Sequence, residues 1–314
     1  MRAGVHLPAA AWPLVGGGGL REDRPVSSSV QVVAHRGSSG DHAEHTLHAF
    51  ERAIEEGADA LECDVRLTRD GVLVCVHDRR VDRTSNGSGV VSALELADLA
   101  ELDFASWKAA HGGDGQPTRS WSSAPPPIDA GGEHELHGQA WEEVDSDGGR
   151  VLTLDRLLGL VLDARRPVQL HVETKHPTRY GGLVERSLVE VLERHGIARP
   201  ASRSASRVAI LSFAVTSLRR VHALAPSLPT QLNMERVPVR LRDGSLPRQV
   251  STAGLALHIL KAHPGYVARL QRHGHRVHVF TVDEPEDVAF LLDLGVDGII
   301  SNHPRRVLEQ LHRT

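Results

Sequence analysis

Val32-Val33-Ala34-His35-Arg36-Gly37 is the stretch that decides the fold: an apolar run, then a histidine and an arginine, then a glycine. A short apolar run closed by a turn residue reads as a buried strand. The same grammar recurs downstream. Residues 60–65 carry Glu62 and Asp64, residues 72–77 run into His77-Asp78, and residues 168–173 run into Glu173-Thr174-Lys175. Ionised groups are rarely placed in cores unless they are paired or functional. Four charged clusters at the ends of apolar strands therefore point to an active site.

Outward from these runs, further strands are expected over residues 208–213, 230–233, 277–282 and 298–301, which makes eight. A ninth run, residues 254–258, either replaces one of them or lies outside the barrel. The segments between have helical punctuation. Thr46 can cap a helix whose Leu47, Phe50 and Ile54 share one face, with Gly57 ending it. Ser92 and Glu95 have capping-box spacing. Thr153 precedes Leu154, Leu157 and Leu158, and a stripe of Leu188, Val191 and Leu192 stops before Gly196. Strands alternating with helices are the pattern of a parallel α/β architecture.

The chain of 314 residues, 40% hydrophobic, is long enough for one large domain, and a single barrel fits. A formal charge of −4 provides no bulk basic surface for nucleic acid or anionic lipid, so a small-molecule substrate is expected and no nucleic acid. No apolar run approaches the ~20 residues that span a bilayer, which argues against stable membrane insertion. Residues 1–29 read as a disordered extension: His6, Pro8 and Pro13 interrupt what would otherwise resemble a secretory signal. Cytoplasm is the default location, with export through this segment as the alternative. The oligomeric state is not legible. Cys63 and Cys75 lack zinc or redox spacing; if the Asp70-Gly71 turn joins antiparallel strands with Asp64 facing His77, the two thiols point to opposite sides of the ribbon.

Between residues 107 and 150 the pattern stops, and Gly, Pro, Ser, His and acidic residues dominate. This reads as an insertion after the third strand, a lid or a disordered segment near the barrel mouth.

The chemistry follows from residue type. Glu62 and Asp64, two apart on a strand, project from one face, and Glu173 ends another strand, so three carboxylates can converge. An all-oxygen set suits one hard divalent cation, Mg²⁺ or Ca²⁺. The alternative is that these acids pair with Arg36, Arg66 or Lys175. His35 and His77 end separate strands and suit acid/base work near neutral pH, which separates them from the rest of the 20 histidines. Arg36 offers a planar fork and Lys175 a point charge for phosphate oxygens. The Gly37 to Gly40 turn could bring backbone amides to an anion.

In this order, His-Arg-Gly, Glu-x-Asp, His-Asp and Glu-x-Lys, continued by Leu211-Ser212-Phe213, Phe280-Thr281-Val282-Asp283 and Asp297-Gly298-Ile299-Ile300, the chain resembles the glycerophosphodiester phosphodiesterase family over residues 32–304. The resemblance implies a (β/α)₈ TIM barrel over residues 30–314. It also implies Glu62, Asp64 and Glu173 as metal ligands and His35 and His77 as the acid/base pair. Arg36 and Lys175 become phosphate contacts, with Lys175 also holding catalytic geometry. Ala43-Glu44-His45-Thr46 stands where the family usually has Pro-Glu-Asn-Thr. Phe280 stands where Trp is common and bears on the alcohol subsite. The implied reaction is metal-dependent hydrolysis of a glycerophosphodiester to sn-glycerol 3-phosphate and an alcohol. Alternatives are a lysophospholipase D-like enzyme on the same barrel, disfavoured by the few aliphatics of the insertion, and a non-catalytic phosphate-ester-binding barrel, which has little use for two histidines.

Overall fold

The computed structural model describes residues 30–110, 149–178 and 181–313. Eight parallel strands close a barrel: β1 (Gln31–His35), β2 (Ala60–Leu67), then, beyond a short β3 (Leu73–Cys75), β4 (Gln169–Thr174), β5 (Val208–Ser212), β6 (Thr230–Met234), β7 (Thr252–Ala256), β8 (Arg276–Phe280) and β9 (Gly298–Ser301). Closure is made by β1, which pairs β9 on one edge and β2 on the other. With helices packed around the ring, this is the expected (β/α)₈ barrel.

The eight strands are not the eight first expected. The run ending at His77 forms β3, which is antiparallel to β2 and outside the ring, whereas Thr252–Ala256 is a true barrel strand between β6 and β8. The long β2 explains the first difference. Its pairing with β1 stops at Glu62, and beyond that point its free edge is taken by β3 at Val65 to Leu67. In β7 the inward position is Gly254, so the strand lacks the apolar density that marks the others. The insertion still follows the third strand in chain order, but that places it between the second and third strands of the ring.

Register supplies a second correction. Val65 lies opposite Cys75, and Val76 N donates to Asp64 O at 3.0 Å, so Asp64 faces Val76 rather than His77. The shift of one residue puts Cys63 and Cys75 on the same face of the ribbon, both buried and both free thiols.

Helix starts follow the chemistry of the caps. Thr46 accepts from Ala49 N ahead of Leu47–Glu55, and Thr153 accepts from Arg156 N ahead of Leu154–Asp163. The expected Ser92 box is displaced by one turn: Glu95 is the N-cap of Leu96–Ala100, reciprocated by Asp98, while Ser92 lies in a 3₁₀ turn, Val91–Ala93. Most of residues 107–150, and the whole of the expected extension over residues 1–29, lie outside the described residues. No helix among the described residues is long and apolar enough to cross a membrane.

Alternation along the strands separates two environments. Val32, Ala34, Leu61, Cys63, Val65, Leu170, Val172 and Ile210, all fully buried or nearly so, form the layer beneath the helices. The alternate residues face the axis and are unusually polar: Glu62, Asp64, His171, Glu173, Gln231, Asn233 and His278 are each 5% exposed or less. A barrel interior is normally packed with branched aliphatics, so this substitution needs a function at the top; below it Gln231 and Asn233 hydrogen-bond to each other, while His171 and His278 stack.

Candidate active site

His35, Arg36, Glu62, Asp64, His77, Glu173, Lys175 and Phe280, all expected at the site from sequence, line one cavity of about 200 Å³ at the carboxyl ends of the strands. The turn after β1 positions the first pair. Arg36 adopts φ +57° and Gly37 φ +84°, left-handed conformations that cost an arginine about 1–2 kcal/mol. In return Arg36 N donates to Glu62 O at 2.9 Å and to Glu62 Oε2 at 3.2 Å, and its guanidinium reaches inward. Gly37 is required because a Cβ there would lie 2.7 Å from the backbone of Ala49. The amides of the following residues are not an anion cradle: Ser38 N donates to Ala49 O and Gly40 N to Asn302 O, both at 2.9 Å.

Glu62, Asp64 and Glu173 present carboxylate oxygens that all lie within 4.8 Å of one another. Cations surround them. Arg36 Nε is 3.0 Å from Asp64 Oδ2, and Lys175 Nζ is 2.8 Å from Asp64 Oδ1 and 2.5 Å from Glu173 Oε1. The pairing alternative is therefore realised for Arg36 and Lys175, but incompletely. Asp64 Oδ2 and Glu173 Oε1 are buried and lack a well-aligned hydrogen-bond donor among the described residues, so the Arg36 and Lys175 charges only partly satisfy them. Burial, then the charges of Asp64 and Glu173, push Glu62 well above the usual carboxylate range. Glu173 is raised by burial and by Asp64. Burial also opposes ionisation of Asp64, but Arg36 and Lys175 outweigh it and hold that carboxyl down. Three crowded acids, two of them with an orphaned oxygen, are a donor set that a divalent, oxygen-seeking cation fits.

Each histidine has its tautomer set by a partner. Asp283 accepts from Asn302 Nδ2 at 2.7 Å, which turns Asn302 Oδ1 toward His35 Nδ1, also at 2.7 Å. His35 Nδ1 must then carry the proton, leaving the Nε2 lone pair in the cavity, 4.0 Å from Glu62 Oε2. Burial and the adjacent Arg36 charge push this imidazole down to about 4. His77 Nδ1 lies 2.7 Å from Asp78 Oδ1, so its Nε2 is free as well, but with a carboxylate rather than an amide behind it. Burial and Arg36 lower His77 also.

Several residues here were not anticipated as site residues. Arg83 donates to Asp78 at 2.7 Å and, through both terminal nitrogens, to Glu44 at 2.9 and 2.7 Å, and Glu44 accepts from Arg36 at 3.0 Å. A chain of alternating charge thus links the His77 partner to the Asp64 side of the cavity. His45, in the position where the resemblance leads one to expect Asn, has φ +60° and accepts the Asp64 N–H at 3.0 Å through Nε2. Below the carboxylates Asn233 Nδ2 donates to Glu173 Oε2 at 2.9 Å. Phe280 meets Phe213 edge to face at a centroid distance of 5.8 Å on one side of the cavity. Asn302, Arg83 and Asn233 left little signal in the sequence: two are uncharged amides, and the third is one arginine among many in a loop.

The model of the glycerophosphoryl diester phosphodiesterase family matches residues 35–306. The chain is 44% identical, over 90% of its length and 93% of the relative's, to a Mycobacterium tuberculosis protein named "Probable glycerophosphodiester phosphodiesterase 1". It is 32% identical, over 88% and 84% respectively, to the "Glycerophosphodiester phosphodiesterase" of Bacillus subtilis. Among solved structures, an Oleispira antarctica phosphodiesterase in complex with the product sn-glycerol-3-phosphate shares the fold at a TM-score of 0.68 and 23% identity, covering 91% of this chain and 99% of that one.

Proposed function

This chain belongs to the glycerophosphoryl diester phosphodiesterase family, and from that membership we propose that it hydrolyses glycerophosphodiesters to sn-glycerol 3-phosphate and an alcohol. The observation that carries the reading is the convergence, in one cavity, of three crowded carboxylates, two histidines with free Nε2 atoms and two cations. Glu62, Asp64 and Glu173 would hold one divalent cation, Mg²⁺ or Ca²⁺, which supplies Lewis-acid neutralisation of the phosphate. Lys175, set against Asp64 and Glu173, holds the carboxylates in place and presents charge toward the phosphate oxygens. Arg36 orients the same group from the β1 side.

The two histidines divide the proton work. His35, backed by a neutral amide, is the base: its Nε2 accepts the proton of the attacking hydroxyl, from water or from the glycerol of the substrate, and in the second case a water then opens the cyclic phosphate to sn-glycerol 3-phosphate. His77, backed by Asp78, is the acid, because a carboxylate at Nδ1 stabilises the imidazolium that delivers a proton to the leaving alkoxide. Phe280 and Phe213 form the apolar flank against which the organic part of the ester rests.

The test is release of glycerol 3-phosphate from glycerophosphocholine and glycerophosphoethanolamine, with EDTA and then Mg²⁺ or Ca²⁺ restored. Cation-restored release is expected. Folded, cation-binding protein that releases nothing from either ester refutes the reading.

A further inference from the structure

A second cavity, of about 450 Å³, adjoins the first, and Lys175 lines both. It lies between the β2–β3 ribbon, the 3₁₀ turn Val91–Ala93 and the loop after β4. Its floor is apolar, with Leu67, Val91 and Val184, and among the described residues its charged lining is cationic: Arg66, Arg79 and Lys175. Lys175 is engaged by Asp64 and Glu173. The two arginines are not neutralised in the same way. Arg66 spends Nε and Nη2 on one carbonyl, His77 O, at 3.0 and 2.7 Å, and Arg79 has no ion-pair partner among the described residues. Burial makes the Arg66 guanidinium easier to deprotonate than usual, against the more distant charges of Asp64, Asp78 and Glu173, and Arg79 adds a smaller repulsion. Two guanidinium groups that line one cavity without a direct ion pair among the described residues are the counterpart of an anion.

We infer that this cavity receives the alcohol half of the substrate and selects alcohols that carry an anionic group of their own, a carboxylate or a phosphate. The inference rests on the phosphodiesterase reading, since the diester must sit with its phosphate between Arg36 and Lys175 and its leaving group across Lys175. The volume accommodates a small polar alcohol with a charged substituent. An ammonium-bearing alcohol such as choline would meet two guanidinium groups there instead of a carboxylate or an open aromatic face.

The experiment compares kcat/KM within two substrate pairs, using the full chain with its divalent cation. Glycerophosphoserine and glycerophosphoethanolamine differ by one carboxylate; bis(glycerophospho)glycerol and glycerophosphoglycerol differ by one glycerophospho unit, which carries the additional phosphate charge. The anionic member of at least one pair is expected to be preferred by about tenfold or more, the usual worth of a charge-assisted contact. The pair that shows it identifies carboxylate or phosphate as the ligand. In Arg79→Gln, an exposed position whose loss does not threaten folding, the ratio should fall toward one. Ratios near one for both pairs in the native protein, or a preference that survives Arg79→Gln, overturn the subsite and leave the phosphodiesterase reading intact. No turnover of any of the four esters overturns both.

Discussion

Asn233 Nδ2 donates to Glu173 Oε2 at 2.9 Å while its Oδ1 accepts from Gln231 Nε2, also at 2.9 Å. The two amides thus form a buried relay along β6 that holds one carboxylate of the proposed cation site from below. Room for it comes from the next strand, because a Cβ on Gly254 would lie 2.1 Å from Asn233 Oδ1 and 2.6 Å from Gln231 Nε2.

Gly254→Ala should therefore act on cation affinity before it acts on anything else. The methyl group displaces the Asn233 amide, and Glu173 loses its orienting donor. Loss of such outer partners costs about 10–100-fold in metal affinity. Calorimetric titration with Mg²⁺ and Ca²⁺ reads this directly, and unchanged affinity in a folded variant would show that the relay is only packing.

His35→Ala and His77→Ala should each lower turnover by ~10²–10⁴-fold. The partners separate the roles. Asn302→Leu removes the acceptor that keeps the proton on His35 Nδ1 without touching the ring, so kcat should fall while KM changes little. A rise in KM with kcat preserved would place Asn302 in binding rather than in proton transfer.

His45 holds the Asp64 amide from a left-handed backbone, a conformation in which His and Asn are enriched. His45→Asn should keep the backbone and lose part of the bond. His45→Ala should lose both, leaving a buried N–H without a partner at a cost of about 1–3 kcal/mol. Urea midpoints of the two variants and the parent should rank parent, Asn, Ala; an Ala variant as stable as the Asn variant contradicts the account.

His278 predicts an acid limit to stability. The ring stacks on His171 at a centroid distance of 5.6 Å, and neither of its nitrogens has a hydrogen-bond partner among the described residues. Burial, then the charges of His171 and Arg276, hold its pKa well below 6.5. The folded state keeps this ring neutral while the unfolded chain takes up a proton below about pH 6.5. Stability from this group is therefore fully present above that pH and is lost as pH falls, at about 1.4 kcal/mol per unit. Denaturation midpoints at pH 7 and pH 5 should converge between the parent and His278→Gln. The two proteins losing stability in parallel on acidification would rule this residue out as the cause.

The candidate site stood out in the sequence because its residues contradict their surroundings. Glu62, Asp64, Glu173 and His35 end strands that are otherwise Val, Leu and Ala, and charge in such places has few explanations besides pairing and chemistry. The strand inventory was less legible for the same physical reason. Gly254 thins the apolar signal of β7 to make room for amides from β6, while β3 carries a full apolar signal and merely caps the free edge of β2. The one-residue register of that edge, which brings Cys63 and Cys75 to one face, depends on turn geometry and not on any pattern of residue types.

What the chain determined by itself was the alternation of strand and helix, the order of the charged clusters and hence the family. These are local properties, written in residues that stand a few positions apart. What only the tertiary structure decided was which partner each functional group keeps. Asn302 meets His35 across 267 residues of chain, Asn233 meets Glu173 across 60, and Arg83 meets Glu44 across 39. Ring closure brings the first and last strands side by side, and a hydrogen bond's direction depends on that closure rather than on composition. The choice of tautomer, the orphaned carboxylate oxygens and the cationic side cavity are consequences of geometry, because an amide or a guanidinium acquires a role only when the group facing it is known.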